Sequence, residues 1–456
     1  MFSLLLSLIL CFFSFLAFLR KKYSKMLFGL TVVAFDFMGF GKILGESPIK
    51  ISDIAIFTIC IIWLHSSFKE KSFFKISHDS LGKSLLYLFL YIFIVFVGTI
   101  VLSQDTPSYA FKVFRVYLAL PFYFVLRKMN LKEFELFFKY IIYVSVFQGL
   151  FYYLQFAGIT GILSGYGADI ESTSTNARLG NYPILADIFF LYFLFKNNIR
   201  FDIKLLFLIF WGLMPILGQM RGQTLVLAMS VSIYLFYKHK IKHMIYMIIG
   251  FFIWALIVSP MFEKRDDSYS TSTIDEIKLV LQHPFDMYKY VEYSGDNGTF
   301  IFRTAMLGER INFMFENPQF ALTGIGCVHE FSPNNKYVMY IGTSLGEELT
   351  GGADRPAYLS SADNTWVGIV MKFGFIGVIL TLAYYIKMVI LSITLVSKTA
   401  YTWAVVYGCY LLPNYLGTMN GNSFDRLYGI IIMCFTAAFI TVFRRKNGYD
   451  SKIINK

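Results

Sequence analysis

Cysteine is almost missing from the polar parts of this chain. Of five cysteines, Cys11, Cys60, Cys409 and Cys434 fall inside apolar runs and only Cys327 lies elsewhere, which excludes a disulfide framework and a cysteine-built metal site. A cleavable signal peptide is missing too. The first basic cluster follows the first apolar run, and no small-residue cleavage site precedes Arg20, so that run is expected to stay as an anchor. No internal repeat is found, so the paired halves common in transporters have no counterpart in the sequence.

Apolar residues are abundant. They make up 56% of 456 residues and the mean hydropathy is +0.58, more apolar surface than one soluble core of this length can hide. The excess is expected to face lipid. Runs long enough to cross roughly 30 Å of hydrocarbon recur almost end to end. Thirteen spans are predicted, near residues 1-19, 26-43, 51-68, 85-102, 109-126, 136-157, 182-195, 203-217, 223-237, 243-260, 365-386, 400-416 and 427-443. The chain therefore reads as an all-α polytopic membrane protein with about 12-13 transmembrane helices, the span at 182-195 being the shortest. It divides into N-terminal helices (1-260), one long loop (261-364) and closing helices with a basic tail (365-456).

The net charge of +12 would point to nucleic acid in a soluble protein, but its placement points elsewhere. Cations cluster in alternate loops: Arg20 to Lys25, Lys69 to Lys83, Arg127 to Lys132, Lys196 to Lys204, Lys238 to Lys242, and Arg444 to Lys446. By the positive-inside rule these loops are cytoplasmic, which puts the long acidic loop outside and the C-terminus inside. No nucleic-acid partner is expected; the partner is the bilayer. Within the long loop, Thr271 to Leu281 and Thr299 to Met314 carry helical patterns, the second stopped by Asn317-Pro318.

Charges left inside spans or on the cation-poor side are the informative ones. Lys112 and Arg115, three residues apart near the outer end of the fifth span, suit an anionic headgroup or diphosphate, or else snorkel outward with a carboxylate partner such as Asp36. Arg221, in Gly218-Gln219-Met220-Arg221-Gly222-Gln223, stands at a helix N-terminus in a very short outer turn, where phosphate is favoured; the alternative is an exposed turn cation. Arg178 precedes the seventh span, and Arg303 and Arg310 share one helical face in the long loop. Asp363 heads the eleventh span as a general base or as a helix N-cap, with Asn364 beside it. His329 is a further acid-base candidate or a surface residue. Arg265-Asp266-Asp267 and Glu347-Glu348 read as solvated charge, and no metal site is assigned.

In their order along residues 175 to 445, these segments resemble the O-antigen polymerase and ligase superfamily of bacterial envelope glycosyltransferases. The Gly-Gln-Met-Arg-Gly-Gln turn is similar to that family's Ser-Arg-Gly turn, and Arg178-Leu-Gly-Asn-Tyr-Pro to its Arg-Gly-Pro segment. Arg303, an amphipathic helix, Asn317-Pro318 and Gly324-Ile325-Gly326 follow in the family's sequence of motifs. Asp363-Asn364 before Lys372-Phe373-Gly374-Phe375-Ile376-Gly377 is similar to its His-Asn motif and following glycine helix, with Asp363 where ligases carry His.

The resemblance implies a polymerase of undecaprenyl-diphosphate-linked repeat units of O-antigen or capsule, sited on the outer face of the cytoplasmic membrane. Its expected partners are lipid-linked glycans, a chain-length regulator and a flippase, and no cofactor is expected. Asp363, Arg221 and Arg303 are the expected catalytic residues, with Arg178, Arg310, Lys112, Arg115, Asn364 and His329 binding substrate. A ligase to lipid A core and a polysaccharide-unit transporter are the alternatives.

Overall fold

The computed structural model describes residues 2–35, 51–70, 79–156, 182–217, 221–239, 242, 245, 282, 299–329, 332–335, 337, 364–420, 424 and 426–449. Every regular element among them is helical. Lipid offers no partner to backbone N–H and C=O groups, so each apolar run must close its own hydrogen bonds. The helices are α1 (Phe2–Leu19), α2 (Tyr23–Ala34), α3 (Ile51–Lys69), α4 (Ser80–Val101), α5 (Pro107–Phe114), α6 (Phe122–Leu126), α7 (Leu131–Phe156), α8 (Ala186–Phe195), α9 (Phe201–Leu217) and α10 (Arg221–Tyr237). After the long loop's α11 (Thr299–Glu316) and α12 (Pro318–Ala321) come α13 (Thr365–Lys398), α14 (Thr402–Leu416) and α15 (Leu427–Lys446).

Six of these segments are long and apolar enough to cross a membrane, among them Ser80–Val101, Thr365–Lys398 and Leu427–Lys446. Large apolar side chains such as Phe12, Phe68, Ile94 and Leu206 are more than half exposed, as lipid-facing positions are. The chain is an all-α, multi-pass membrane protein. Helix occupies each predicted span except 243-260, of which only Ile245 is described; the second half of 26-43 also lies outside the described residues. The helical pattern at Thr271 to Leu281 is likewise outside them, whereas the one at Thr299 is α11.

Two spans differ from unbroken helices. The fifth, 109-126, is α5, a 3-10 turn (Arg115–Ala119) and α6 in succession. Pro121 has no N–H to offer the Tyr117 carbonyl, which takes the Leu120 N–H at 3.0 Å instead. The eleventh, α13, runs past the expected end at 386 to Lys398 but breaks at Gly374, where φ is +59° and ψ −164°. Only glycine occupies that region without strain.

Aromatic stacking ties the elements together. Phe138 stacks on Trp403 at 3.8 Å, Trp403 on Tyr192 at 4.0 Å, and Phe195 on Tyr234 at 3.9 Å, joining α7, α14, α8 and α10. Such pairs contribute about 0.5–1.5 kcal/mol each beyond their buried area.

Candidate functional site

Asn364 is the N-cap of α13. Its side-chain oxygen accepts the Trp366 N–H at 2.9 Å, while its amide nitrogen donates to the Arg303 carbonyl at 3.4 Å. One fully buried side chain therefore starts a membrane helix and fixes α11 against it. Trp366 Nε1 donates to Thr418 Oγ1 at 3.1 Å in the 3-10 turn Gly417–Asn420, and α10, headed by Arg221, packs against the same turn. The long-loop arginine helix, the eleventh-span motif and the Arg221 helix thus meet at one end of the bundle.

The two glycine motifs of the resemblance interlock. At the break in α13, Ile325 N–H donates to the Met371 carbonyl at 2.8 Å, and Ile376 N–H donates to the Leu322 carbonyl at 3.2 Å. Tyr91 Oη donates to the Phe373 carbonyl at 2.6 Å, so groups freed by the break find partners on the loop and on α4. A Cβ on Gly324, itself at φ +72°, would lie 2.5 Å from the Met371 oxygen, and one on Gly374 2.5 Å from the Gly324 nitrogen.

Lys112 and His329 come together around Tyr109. The Lys112 ammonium sits 4.2 Å from the Tyr109 ring centroid and the His329 ring 5.4 Å from it. Asp105, buried, holds this corner by accepting the His329 N–H at 2.9 Å and the Ser332 hydroxyl. Cys327 N–H donates to Thr99 Oγ1 at 2.8 Å beside it.

Other expected site residues lie elsewhere. Arg115 pairs with Asp53 at 2.5 Å across to α3, and so has a carboxylate partner other than Asp36, which is outside the described residues. Arg310, though on the helix of Arg303, is fully buried, bonded to Glu309 and to the Met306 carbonyl at 3.3 Å. Arg178 and Asp363 lie outside the described residues; the cap role open to Asp363 is filled by Asn364. No cluster of potential metal ligands occurs among the described residues.

One carboxyl escaped the sequence reading. Asp187, in the first turn of α8, is buried and accepts the Tyr182 hydroxyl at 2.7 Å. The signal for it is an acid inside an apolar run. Compared with known proteins, the chain matches no family model and no curated protein.

Proposed function

We propose that the chain is a membrane glycosyltransferase that polymerises undecaprenyl-diphosphate-linked repeat units of O-antigen or capsule at the outer face of the bacterial cytoplasmic membrane. The observation that carries this reading is the meeting of Asn364, the Arg303 backbone and the Arg221 helix at one end of the bundle. In the reaction an acceptor hydroxyl oxygen bonds to the donor's anomeric carbon as the bond from that carbon to the diphosphate breaks. The electron pair leaves with the diphosphate and the proton passes to Asp363. Arg221, Arg178 and Arg303 neutralise the departing charge, which is chemistry that arginine supplies without a metal. A chain-length regulator and a flippase are the accompanying partners.

Arg221 carries the test. Arg221→Ala is expected to accumulate single lipid-linked repeat units, with turnover per inserted molecule reduced about a hundredfold, the loss of roughly 3 kcal/mol of leaving-group stabilisation. Arg221→Lys should restore little, because an ammonium lacks the two-pronged donor geometry. Full per-molecule activity in Arg221→Ala ends the assignment.

The break in α13 favours a second reading, since transporters build substrate sites from discontinuous helices. The two readings separate in cells lacking the protein. A polymerase leaves single repeat units facing outward, open to an impermeant lectin on spheroplasts; a transporter leaves them facing the cytoplasm.

A further inference from the structure

The register of the long loop against α4 sets its depth. Tyr91 stands at the middle of α4, roughly 15 Å from either end by helical rise. Its hydroxyl donates to the Phe373 carbonyl at 2.6 Å and lies 3.2 Å from the Leu322 carbonyl. Further along α4 Thr99 takes the Cys327 N–H, and beyond the helix Asp105 takes the His329 N–H. In the other direction Lys387 Nζ donates to Ser84 Oγ at 2.7 Å, near the start of α4. Leu322 and the break in α13 therefore lie half-way along a membrane span, and the chain climbs from Leu322 to the Asp105 corner.

The matching descent is made by α11. It begins beside Asn364, whose amide donates to the Arg303 carbonyl at 3.4 Å; lower down Met314 clusters with Val370 and Met371, and the Phe315 ring lies 5.7 Å from that of Phe375, just past the break. Asn317-Pro318 turns the chain at that depth. Asn317 N–H donates to the Phe313 carbonyl at 3.0 Å, Phe320 N–H to the Asn317 carbonyl at 2.9 Å and Gly324 N–H to the Phe320 carbonyl at 2.7 Å, while the bonds of Ile325 and Ile376 tie the turn to α13. Irregular backbone at membrane depth requires such internal partners. Among the side chains that the hairpin leaves exposed, Asn312, Glu316, Gln319 and Thr323 follow one another at three- or four-residue spacing. Phe315 and Leu322 are exposed among them; water tolerates scattered apolar side chains, whereas hydrocarbon does not tolerate a carboxylate. On α4 at the same depth the exposed residues Leu90, Phe93 and Ile94 are all apolar, as lipid-facing positions are.

We propose that residues 299–326 are a re-entrant element of the membrane domain. The helix α11 enters beside Asn364, the turn at Asn317-Pro318 reaches the middle of the bilayer, and a water-covered edge of Asn312, Glu316, Gln319 and Thr323 opens from there toward the Asn364 end. That edge gives a polar, hydrated ligand a route to a depth that lipid-facing walls deny it. The inference does not depend on the polymerase reading.

The test uses Gln319→Cys, Thr323→Cys, Ile94→Cys and Leu102→Cys, each in the full chain. Membranes opened by freeze–thaw, so that both faces are reached, are treated with a charged methanethiosulfonate, and the thiols left unreacted are counted after denaturation by gel shift with a maleimide polymer. The unaltered chain, with four of its five cysteines buried, sets the background. Leu102→Cys, at the end of α4, is expected to react, and Ile94→Cys, one turn from Tyr91 and exposed, to stay at background, because a thiolate does not form in hydrocarbon. Gln319→Cys and Thr323→Cys should react at rates near that of Leu102→Cys and at least about tenfold faster than Ile94→Cys. Background reactivity at either position 319 or 323 would overturn the water-covered edge. An Ile94→Cys as reactive as Leu102→Cys would put the middle of α4 outside the hydrocarbon and the hairpin outside the membrane, which overturns the inference as well. Both outcomes leave the polymerase reading standing, since that is judged by accumulated repeat units.

Discussion

Arg115 and Asp53 show how a residue's neighbour decides its role. Asp53 is almost wholly buried and its ion pair with Arg115 spans from α3 to the 3-10 turn of the fifth span. Removing one member of a buried pair leaves the other charge stranded, at a cost of about 3–5 kcal/mol. Arg115→Ala is therefore expected to lower the thermal midpoint in detergent sharply, with Asp53→Asn in the same molecule recovering part of the loss. An Arg115 that mainly contacts substrate would instead depress turnover at unchanged stability. Asn364 and Asp363 divide in the opposite way. Asn364→Ala should cost about 1 kcal/mol through the lost cap and loosen α11, since the side chain also bonds the Arg303 carbonyl. Asp363→Asn, beside a cap that Asn364 already supplies, should leave stability unchanged and remove the base, read as short polymer at equal expression. Near-normal polymer length would retire Asp363 as the base.

The broken α13 explains what was legible in the sequence and what was not. Hydropathy located the span from Thr365, because lipid enforces helix wherever apolar residues run long enough, and Asn317-Pro318 correctly ended α11. Gly374 belongs to a motif visible in the sequence, yet its left-handed backbone follows from the loop that inserts beside it, and no local pattern encodes a partner some fifty residues away. The pairing of Asp53 with Arg115 was hidden for the same reason. At the site, the meeting of Asn364 with Arg303 was foreshadowed only by motif order, and Lys112 with His329 not at all. Two glycines make the point testable. Gly374→Ala forces a side chain into a region that costs about 1–3 kcal/mol and against the Gly324 nitrogen, so a marked fall in thermal midpoint is expected. In α4, an added methyl at Gly98 meets nothing within 4 Å, and Gly98→Ala should be neutral or stabilising by up to about 1 kcal/mol. Equal effects at the two positions would mean that the interlocked break does not hold α13.

Across the whole molecule, contacts gather the basic clusters at one end of the bundle. Ser24 N–H donates to Glu133 at 2.6 Å, Lys128 pairs with Glu70, and Arg127 reaches Asp79 at 3.3 Å, joining the first three clusters. Arg444 donates to the Leu391 carbonyl at 3.2 Å, and Tyr401, just past α13, donates to Glu135 at 2.7 Å, adding the C-terminal cluster. Trp403 stacks on Tyr192 one turn before Lys196, and Phe195 on Tyr234 one turn before Lys238, bringing in the remaining two. Alternation of charge along the sequence and segregation of charge in space are separate facts, and here they agree. At the opposite end lie the Asp105 corner and the contact between Trp366 and Thr418. Because cation-rich ends stay in the cytoplasm, the end holding α11 and Asn364 is expected to face outward. Alkaline phosphatase fused after residue 330 should then be active, and a green fluorescent protein fused after Lys456 should fluoresce. An inactive phosphatase at 330, with the fusion protein present at normal abundance, would invert the molecule. It would place the Arg221 and Asn364 end in the cytoplasm, where outward-facing lipid-linked glycans cannot reach it, and the polymerase reading would fall with the topology.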